Sequence, residues 1–262
     1  MAEATADSMV PADADDARRF GGLDRLYGIE AAQYLRRAHV VVVGLGGVGS
    51  WAAEALARSG ISRLTLIDMD HIAESNINRQ IHALSSTLGQ SKIEAMRERI
   101  AQIHPRCEVQ VVDDFVSPDN WPGLLPGEVD GVLDCCDQVK AKHAIVSWAL
   151  KAKVPTVCMG AAGGKRRAER LECGDLADVT HDPLLASLRQ RMRKFDGAPR
   201  QGRMKVSCVF SREAVTRPPQ EAGQACAVDH SLNCAGYGSS VMVTASMGLI
   251  GANALVEQLL KP

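Results

Sequence analysis

The chain predicts an α/β fold: a Rossmann-like, doubly wound, mainly parallel sheet carrying an inserted basic helical segment and a C-terminal strand and helix extension. Three observations predict it. Val40-Val41-Val42-Val43 is an uninterrupted β-branched run, the signature of a strand buried on both faces. It leads directly into Gly44-Leu45-Gly46-Gly47-Val48-Gly49-Ser50, whose glycines let the chain turn tightly while backbone amides face an anion at the start of a helix. Strand-like runs and helical stretches then alternate as far as Met159, the order that produces parallel strands joined by crossover helices. With 262 residues and 46% apolar content, the chain has enough apolar surface to bury a sizeable core.

Taken in order, residues 1–17 are rich in Ala and Asp, lack the apolar region of a secretory signal, and read as a disordered tail. After a polar lead from Arg18, Ile29–Leu35 reads as a helix. Gly47–Ser59 places Trp51, Ala52, Ala55 and Leu56 at helical spacing and stops at Gly60. Arg63–Asp68 is a second strand that delivers Asp68 to its carboxyl end, the ligand-facing end in a doubly wound sheet. Ser91-Lys92-Ile93-Glu94 has the pattern of a capping box, and Ile93, Met96, Ile100 and Ile103 form the buried stripe of the helix it opens. Glu108–Val112 and Val129–Leu133 are the third and fourth strands, the latter ending in Asp134-Cys135-Cys136-Asp137. Lys140–Lys151 is a helix and Val154–Met159 a fifth strand, followed by Gly160-Ala161-Ala162-Gly163-Gly164.

At Lys165 the composition shifts. Lys165, Arg166, Arg167 and Arg170 precede Asp182-Pro183, a helix-start signature, and a helix with Leu184, Leu188 and Met192 on one side. Arg189, Arg191, Arg193, Lys194, Arg200, Arg203 and Lys205 continue the basic run. The net charge of -1 excludes a globally basic nucleic-acid binder, but this local density points to phosphate contacts, and the scarcity of aromatic residues there gives base stacking no support. Met204–Ser211 reads as a strand, and an apolar helix closes the chain after Gly238. Ser231–Val256 contains no Asp, Glu, Lys or Arg and is long enough to span a bilayer. Its strongly apolar residues are sparse, however, so it reads as a buried helix. None of the eight cysteines forms a CxxC pair, which fits neither a zinc site nor a secreted disulfide framework and points to a reducing cytosol.

The polar chemistry gathers at the predicted carboxyl edge. An acid about twenty residues beyond the glycines suits the ribose of NAD or of ATP equally, so Asp68 alone leaves the nucleotide open, while Asp70 reads as a loop residue. Ser75–Gln80 is too polar for a core and carries Arg79 back across the ligand. Lys92 stands in the first turn of a helix, where the dipole disfavours a cation unless an anion lies close. Asp134 and Asp137 emerge together. One of them is placed to hold Mg²⁺ against phosphates, and Asp134 reads rather as a structural acid. Cys234 sits at a loop-to-helix junction that can lower a thiol pKa.

In this order, the cradle through Gly49, Leu66–Asp70, Asn76 with Arg79-Gln80, Lys92, and Leu133–Asp137 together resemble the ATP-binding fold of the ubiquitin-activating-enzyme (ThiF/MoeB) superfamily, which adenylates carboxylates. Arg19-Phe20-Gly21-Gly22, Arg25-Leu26-Tyr27-Gly28, Gly49–Arg58, Asn78–Leu84, Asp113-Asp114-Phe115-Val116, Asp182-Pro183-Leu184 and the tail around Cys234 are closer to one branch, the bacterial tRNA threonylcarbamoyladenosine dehydratases. The resemblance implies ATP-dependent cyclisation of N6-threonylcarbamoyladenosine beside the tRNA anticodon, with AMP and pyrophosphate released. The alternative within the superfamily is adenylation of the C-terminus of a ubiquitin-like sulfur-carrier protein.

By the same resemblance, Gly44, Gly46, Gly47 and Gly49 cradle the triphosphate, Asp68 takes the ribose, and Asn76, Arg79 and Lys92, with Asp70 beside them, serve the phosphates. Asp137 binds Mg²⁺. It further implies an ATP-binding core over 18–164, a basic tRNA-contacting segment over 165–205 using Lys165, Arg166, Arg167, Arg189, Arg193 and Arg203, and 206–262 completing the same domain. A cytoplasmic homodimer is implied, without structural zinc and without stable membrane insertion. Many relatives carry an Arg where this chain has Gly22, which leaves Arg19 and Arg25 as candidates to reach across the dimer. Cys234 has an accessory role at most, accepting sulfur from a cysteine desulfurase system.

Overall fold

A computed structural model describes residues 12–216 and 237–261. Its elements in chain order are α1 (Ala12–Tyr27), α2 (Ile29–Leu35), β1 (His39–Val43), α3 (Gly49–Arg58), β2 (Arg63–Ile67), α4 (Lys92–Ile103), β3 (Glu108–Val112), β4 (Gly131–Asp134), α5 (Val139–Ala152), β5 (Thr156–Met159), β6 (Leu171–Asp175), α6 (Pro183–Phe195), β7 (Ser207–Ser211) and α7 (Val241–Leu259). The strands form a single sheet in the order β3-β2-β1-β4-β5-β7-β6. All neighbours are parallel except β6, which runs antiparallel to β7 from Leu171↔Ser211 to Asp175↔Ser207.

The strand order reverses between β1 and β4, and in open α/β sheets the ligand crevice lies at the carboxyl ends of such a switch point. Both faces of β1 are covered, which is why Val40–Val43 is continuously apolar. Val40 and Val42 pack with Ala52 and Leu56 of α3, Ile93 and Met96 of α4, and Met247 and Leu255 of α7. Val41 and Val43 pack with Ile67, Trp121 and Ile145 of α5 on the opposite face. A further cluster joins Leu185 and Leu188 of α6 to Cys158, Cys208 and Phe210.

Three features depart from the sequence expectations. Residues 12–17, expected within a disordered tail, belong to α1, which is supported by Asp15 pairs with Arg18 and Arg19 one turn on, an Arg106–Asp16 ion pair of 2.8 Å, and Phe20 packed edge-on against His104. The strand β6 has no counterpart in the sequence reading because Glu172-Cys173-Gly174 lacks a strand-like pattern; pairing with β7 makes it one. Ser91 is the N-cap of α4, but its hydroxyl makes no capping bond, and Glu94 pairs with Arg97 instead of closing a box. A bridge between His71 and Ser91 and a bond from the Lys92 amide to the Asp70 carbonyl anchor that helix start.

Among the described residues, no helix is long and apolar enough to cross a membrane. The small residues of α7 serve close packing: a Cβ at Gly248 would collide with the Val48 carbonyl and come within 3.0 Å of the Ala52 nitrogen, and one at Gly251 would crowd Met159 at 2.7 Å. That brings the first turn of α7 down onto the glycine loop.

Candidate active site

The glycine loop leaves β1 at Gly44, whose φ of 86° lies in the left-handed region and whose missing Cβ would press on the backbone of Cys135 and Cys136 at 3.1 Å. A Cβ at Gly49 would run into the Gly44 carbonyl, and one at Gly47 would meet Thr244 at 3.1 Å and Arg79 at 3.2 Å. Backbone packing demands glycine at Gly44 and Gly49, whereas at Gly47 the two side chains would have to give way by a few tenths of an ångström. Gly46 differs: nothing lies within 4 Å of its Cβ position, so the loop is open there and packing does not require the glycine. No side chain caps the start of α3, which leaves the helix N-terminus with backbone donors for an anion.

Asp68 leaves the end of β2 and accepts the Leu45 amide at 2.5 Å and the Asp70 amide at 2.9 Å. Burial pushes its carboxyl pKa up, opposed by the Lys92 charge and the Leu45 N–H. The Lys92 side chain is buried, with Nζ 2.6 Å from Asp70 Oδ2 and 3.9 Å from Asp68 Oδ1. The anion expected beside Lys92 is thus an acid of the chain itself.

Asn76 ends a short 3-10 helix over Glu74–Asn76 and accepts the Ala73 amide with its side-chain oxygen. Arg79 donates from its guanidinium to the Ser75 carbonyl at 2.6 Å and to Asn78 Oδ1 at 3.0 Å. Asp137 is half-buried just beyond β4. Burial raises its pKa, Lys142 and Lys92 oppose that rise, and Asp70 adds to it, so Asp137, Asp70 and Lys92 share one electrostatic environment. Asp134 is a structural acid, as its position suggested: it is fully buried, pairs with Lys142 at 3.1 Å, and accepts from the thiols of Cys136 and Cys158.

The predicted nucleotide residues therefore converge on the carboxyl edge of β1, β2 and β4. The predicted tRNA residues do not behave alike. Arg166, Arg167 and Arg203 are exposed, and the amides of Arg166 and Arg167 both donate to Glu213 Oε2 at 2.9 Å, which holds that corner in shape. Lys165 is not a surface contact, contrary to expectation: it is buried, and its ammonium donates to the backbone carbonyls of His181 and Glu213. Arg189 is likewise committed inward, to the carbonyls of Leu176 at 3.1 Å and Val179 at 2.7 Å. Arg193 is half-buried and donates to the carbonyls of Pro199 and Arg200. Arg19 and Arg25 are both exposed, and Arg19 is engaged with Asp15 and the Ile103 carbonyl. Cys234 lies outside the described residues.

Sequence reasoning missed the roles of Trp51, Lys142 and Thr244, and half the role of Asp182. The Asp-Pro signal identified Asp182 as N-cap of α6, where Oδ1 accepts the Leu185 amide; Oδ2 also accepts the Ala161 amide at 2.8 Å, tying the basic helix to the loop after β5. Among the described residues, no group of three or more His, Cys, Asp or Glu is arranged to hold a metal ion.

A family model described as the ThiF family matches residues 22–261. A tRNA threonylcarbamoyladenosine dehydratase of Escherichia coli is 44% identical over 252 residues, covering 93% of this chain and 94% of the relative. Solved structures of the E. coli dehydratase in complex with ATP and with AMP superpose with TM-scores of 0.85 and 0.84 at 43% identity, each covering 96% of this chain and 97% and 98% of the other. Similarity to a molybdopterin-synthase adenylyltransferase of Salmonella typhimurium, 37% over 133 residues, spans 51% of this chain and 53% of that protein. The chain belongs to the ThiF family and, within it, to the tRNA threonylcarbamoyladenosine dehydratases.

Proposed function

We propose that this protein uses ATP to dehydrate N6-threonylcarbamoyladenosine in tRNA to its cyclic form. The observation that carries the reading is the convergence of the open glycine loop, Asp68, Lys92, Arg79 and Asp137 on one crevice in a chain whose similarity to the dehydratases runs nearly end to end. Activation of a sulfur-carrier C-terminus has less support, since the likeness to enzymes of that kind stops at about half the chain.

A carboxylate is a poor electrophile. Attack of its oxygen on the α-phosphorus of ATP expels pyrophosphate and forms an acyl adenylate. A nitrogen of the same substituent then attacks the acyl carbon, AMP leaves with the former carboxylate oxygen, and the substituent has lost the elements of water. The chain supplies position and charge. The loop amides around Gly46 take the phosphates and Asp68 takes the ribose; Arg79, Asn76 and Lys92 neutralise charge that develops during phosphorus transfer.

Asp137 suits Mg²⁺. A half-buried carboxylate whose charge is disfavoured by burial gains from a cation, and Mg²⁺ is commonly held by one or two carboxylates plus substrate phosphates rather than by an all-protein cage. There it would offset phosphate charge. Exposed Arg166, Arg167 and Arg203 contact the tRNA backbone. The protein acts as a cytoplasmic homodimer, with Arg25 the better placed of the two candidates to reach a partner's site, since Arg19 is engaged with Asp15 and the Ile103 carbonyl. Cys234 has an accessory role in sulfur transfer, since dehydration needs no thiol.

The test is mass spectrometry of nucleosides from tRNA incubated with the protein, with and without ATP and Mg²⁺. Loss of one water from the modified adenosine, only with ATP and accompanied by AMP, is the expected result. An unchanged nucleoside, in tRNA shown to carry the modification, overturns the reading.

A further inference from the structure

Arg79 lies on an irregular segment whose neighbours Ile77 and Asn78 are exposed, an unpromising base for a cation that must meet developing charge within a fraction of an ångström. Two elements distant in sequence grip it. Trp51, in the first turn of α3, donates its indole N–H to the Arg79 carbonyl at 2.9 Å, 28 residues away. Thr244, in the first turn of α7, brings its hydroxyl to the same carbonyl at 3.4 Å, 165 residues away, and is itself buried. Asn78 adds a bond to the Ser239 carbonyl at 3.0 Å just before α7. The side-chain stems of Arg79 and Thr244 also meet over Gly47, where a Cβ would lie 3.2 Å from the former and 3.1 Å from the latter. An indole nitrogen only donates, and a helical Thr hydroxyl ordinarily turns to its own helix; both are instead spent on one carbonyl.

We propose that Trp51 and Thr244 are positioning residues that hold the Arg79 backbone so that its guanidinium meets the phosphates, making the first turns of α3 and α7 working parts of the adenylation site. This rests on the reading above that Arg79 serves the phosphates. ATP in the ground state is held chiefly by the glycine loop and Asp68, so loss of the grip reduces kcat and leaves KM for ATP nearly unchanged. Damage to α3 in general would raise KM as well, because α3 begins in the glycine loop.

A double-mutant cycle on AMP formation, followed in single turnover with modified tRNA, decides the matter. Trp51→Phe is expected to slow the reaction about 10- to 100-fold with KM for ATP moved less than about twofold. Thr244→Val is expected to cause a smaller loss of the same kind. In an Arg79→Ala background, neither substitution should cost anything further, because their effect passes through Arg79. Losses that multiply across the two backgrounds, a Trp51→Phe loss expressed mainly in KM, or an Arg79→Ala variant as fast as the parent would overturn the inference. Failure of the unsubstituted protein to form AMP would instead remove the functional reading on which it rests.

Discussion

Asp137 keeps a carboxylate where its charge is disfavoured: burial raises its pKa, and the nearby Asp70 reinforces the rise. Asp137→Ala is expected to abolish AMP formation while far-ultraviolet circular dichroism and the melting temperature stay close to the parent; full turnover by the variant would refute the Mg²⁺ assignment. His82 presents the opposite problem, being almost fully buried with neither ring nitrogen partnered among the described residues. Burial, then the charges of Lys92 and Arg99, lower its pKa to about 4. The folded protein thus holds His82 neutral where the unfolded chain would protonate it. Its contribution is complete above about pH 6.5 and is lost as pH falls toward 4, a difference of roughly 3 kcal/mol. Denaturant unfolding of His82→Gln beside the parent should show a shallower loss of stability across that window; parallel curves would contradict the assignment.

At the scale of elements, the basic segment divides into cations that face solvent and cations that brace the fold. Replacing Arg166, Arg167 and Arg203 together by Ala should weaken tRNA binding and flatten its salt dependence by about one unit of slope for each phosphate no longer neutralised, with unfolding unchanged. Lys165→Met should act the other way. It leaves the carbonyls of His181 and Glu213 without their donor and should lower stability by about 1–3 kcal/mol. Filter binding over a salt series and urea unfolding separate the two classes; a stability loss in the triple variant, or none in Lys165→Met, would contradict the division. The elements themselves were largely legible. The expected limits of Ile29–Leu35 and Glu108–Val112 coincide with α2 and β3, because period and composition act locally. β6 was not legible, since Cys173 and Gly174 extend only by pairing with Val209 and Cys208.

Across the whole molecule, a fully buried ion pair lies at the carboxyl end of β4, beneath the candidate site. Lys142 and Asp134 have fully buried side chains 3.1 Å apart. Burial alone would lower the Lys142 pKa, but Asp134 and the neighbouring Cys158 and Cys136 thiols hold it well above the usual value. The pair joins α5 to the end of β4, three residues from Asp137. Lys142→Met should destabilise the protein by about 3–5 kcal/mol by stranding a buried charge, and Asp134→Leu in the same chain should restore much of the loss. Equal stability of Lys142→Met and the parent in denaturant would show that the pair is not what holds α5 to β4.

What the sequence determined by itself is whatever depends on neighbours along the chain: the buried strand β1, the glycine turn, the helix opened by Ser91, and the spacing that delivers Asp68, Lys92 and Asp137 to one edge of a parallel sheet. Which partner each polar group meets was settled by folding alone. Lys165 and Arg166 are adjacent basic residues, yet one ammonium is enclosed by two carbonyls and the other side chain faces water. Trp51 fits the apolar pattern of its helix and Thr244 lies in an uncharged one, yet both turn a polar atom to the carbonyl of Arg79. The physical reason is that backbone preference acts over a few residues, whereas burial and hydrogen-bond partnership are set by packing between segments that the chain brings together only on folding.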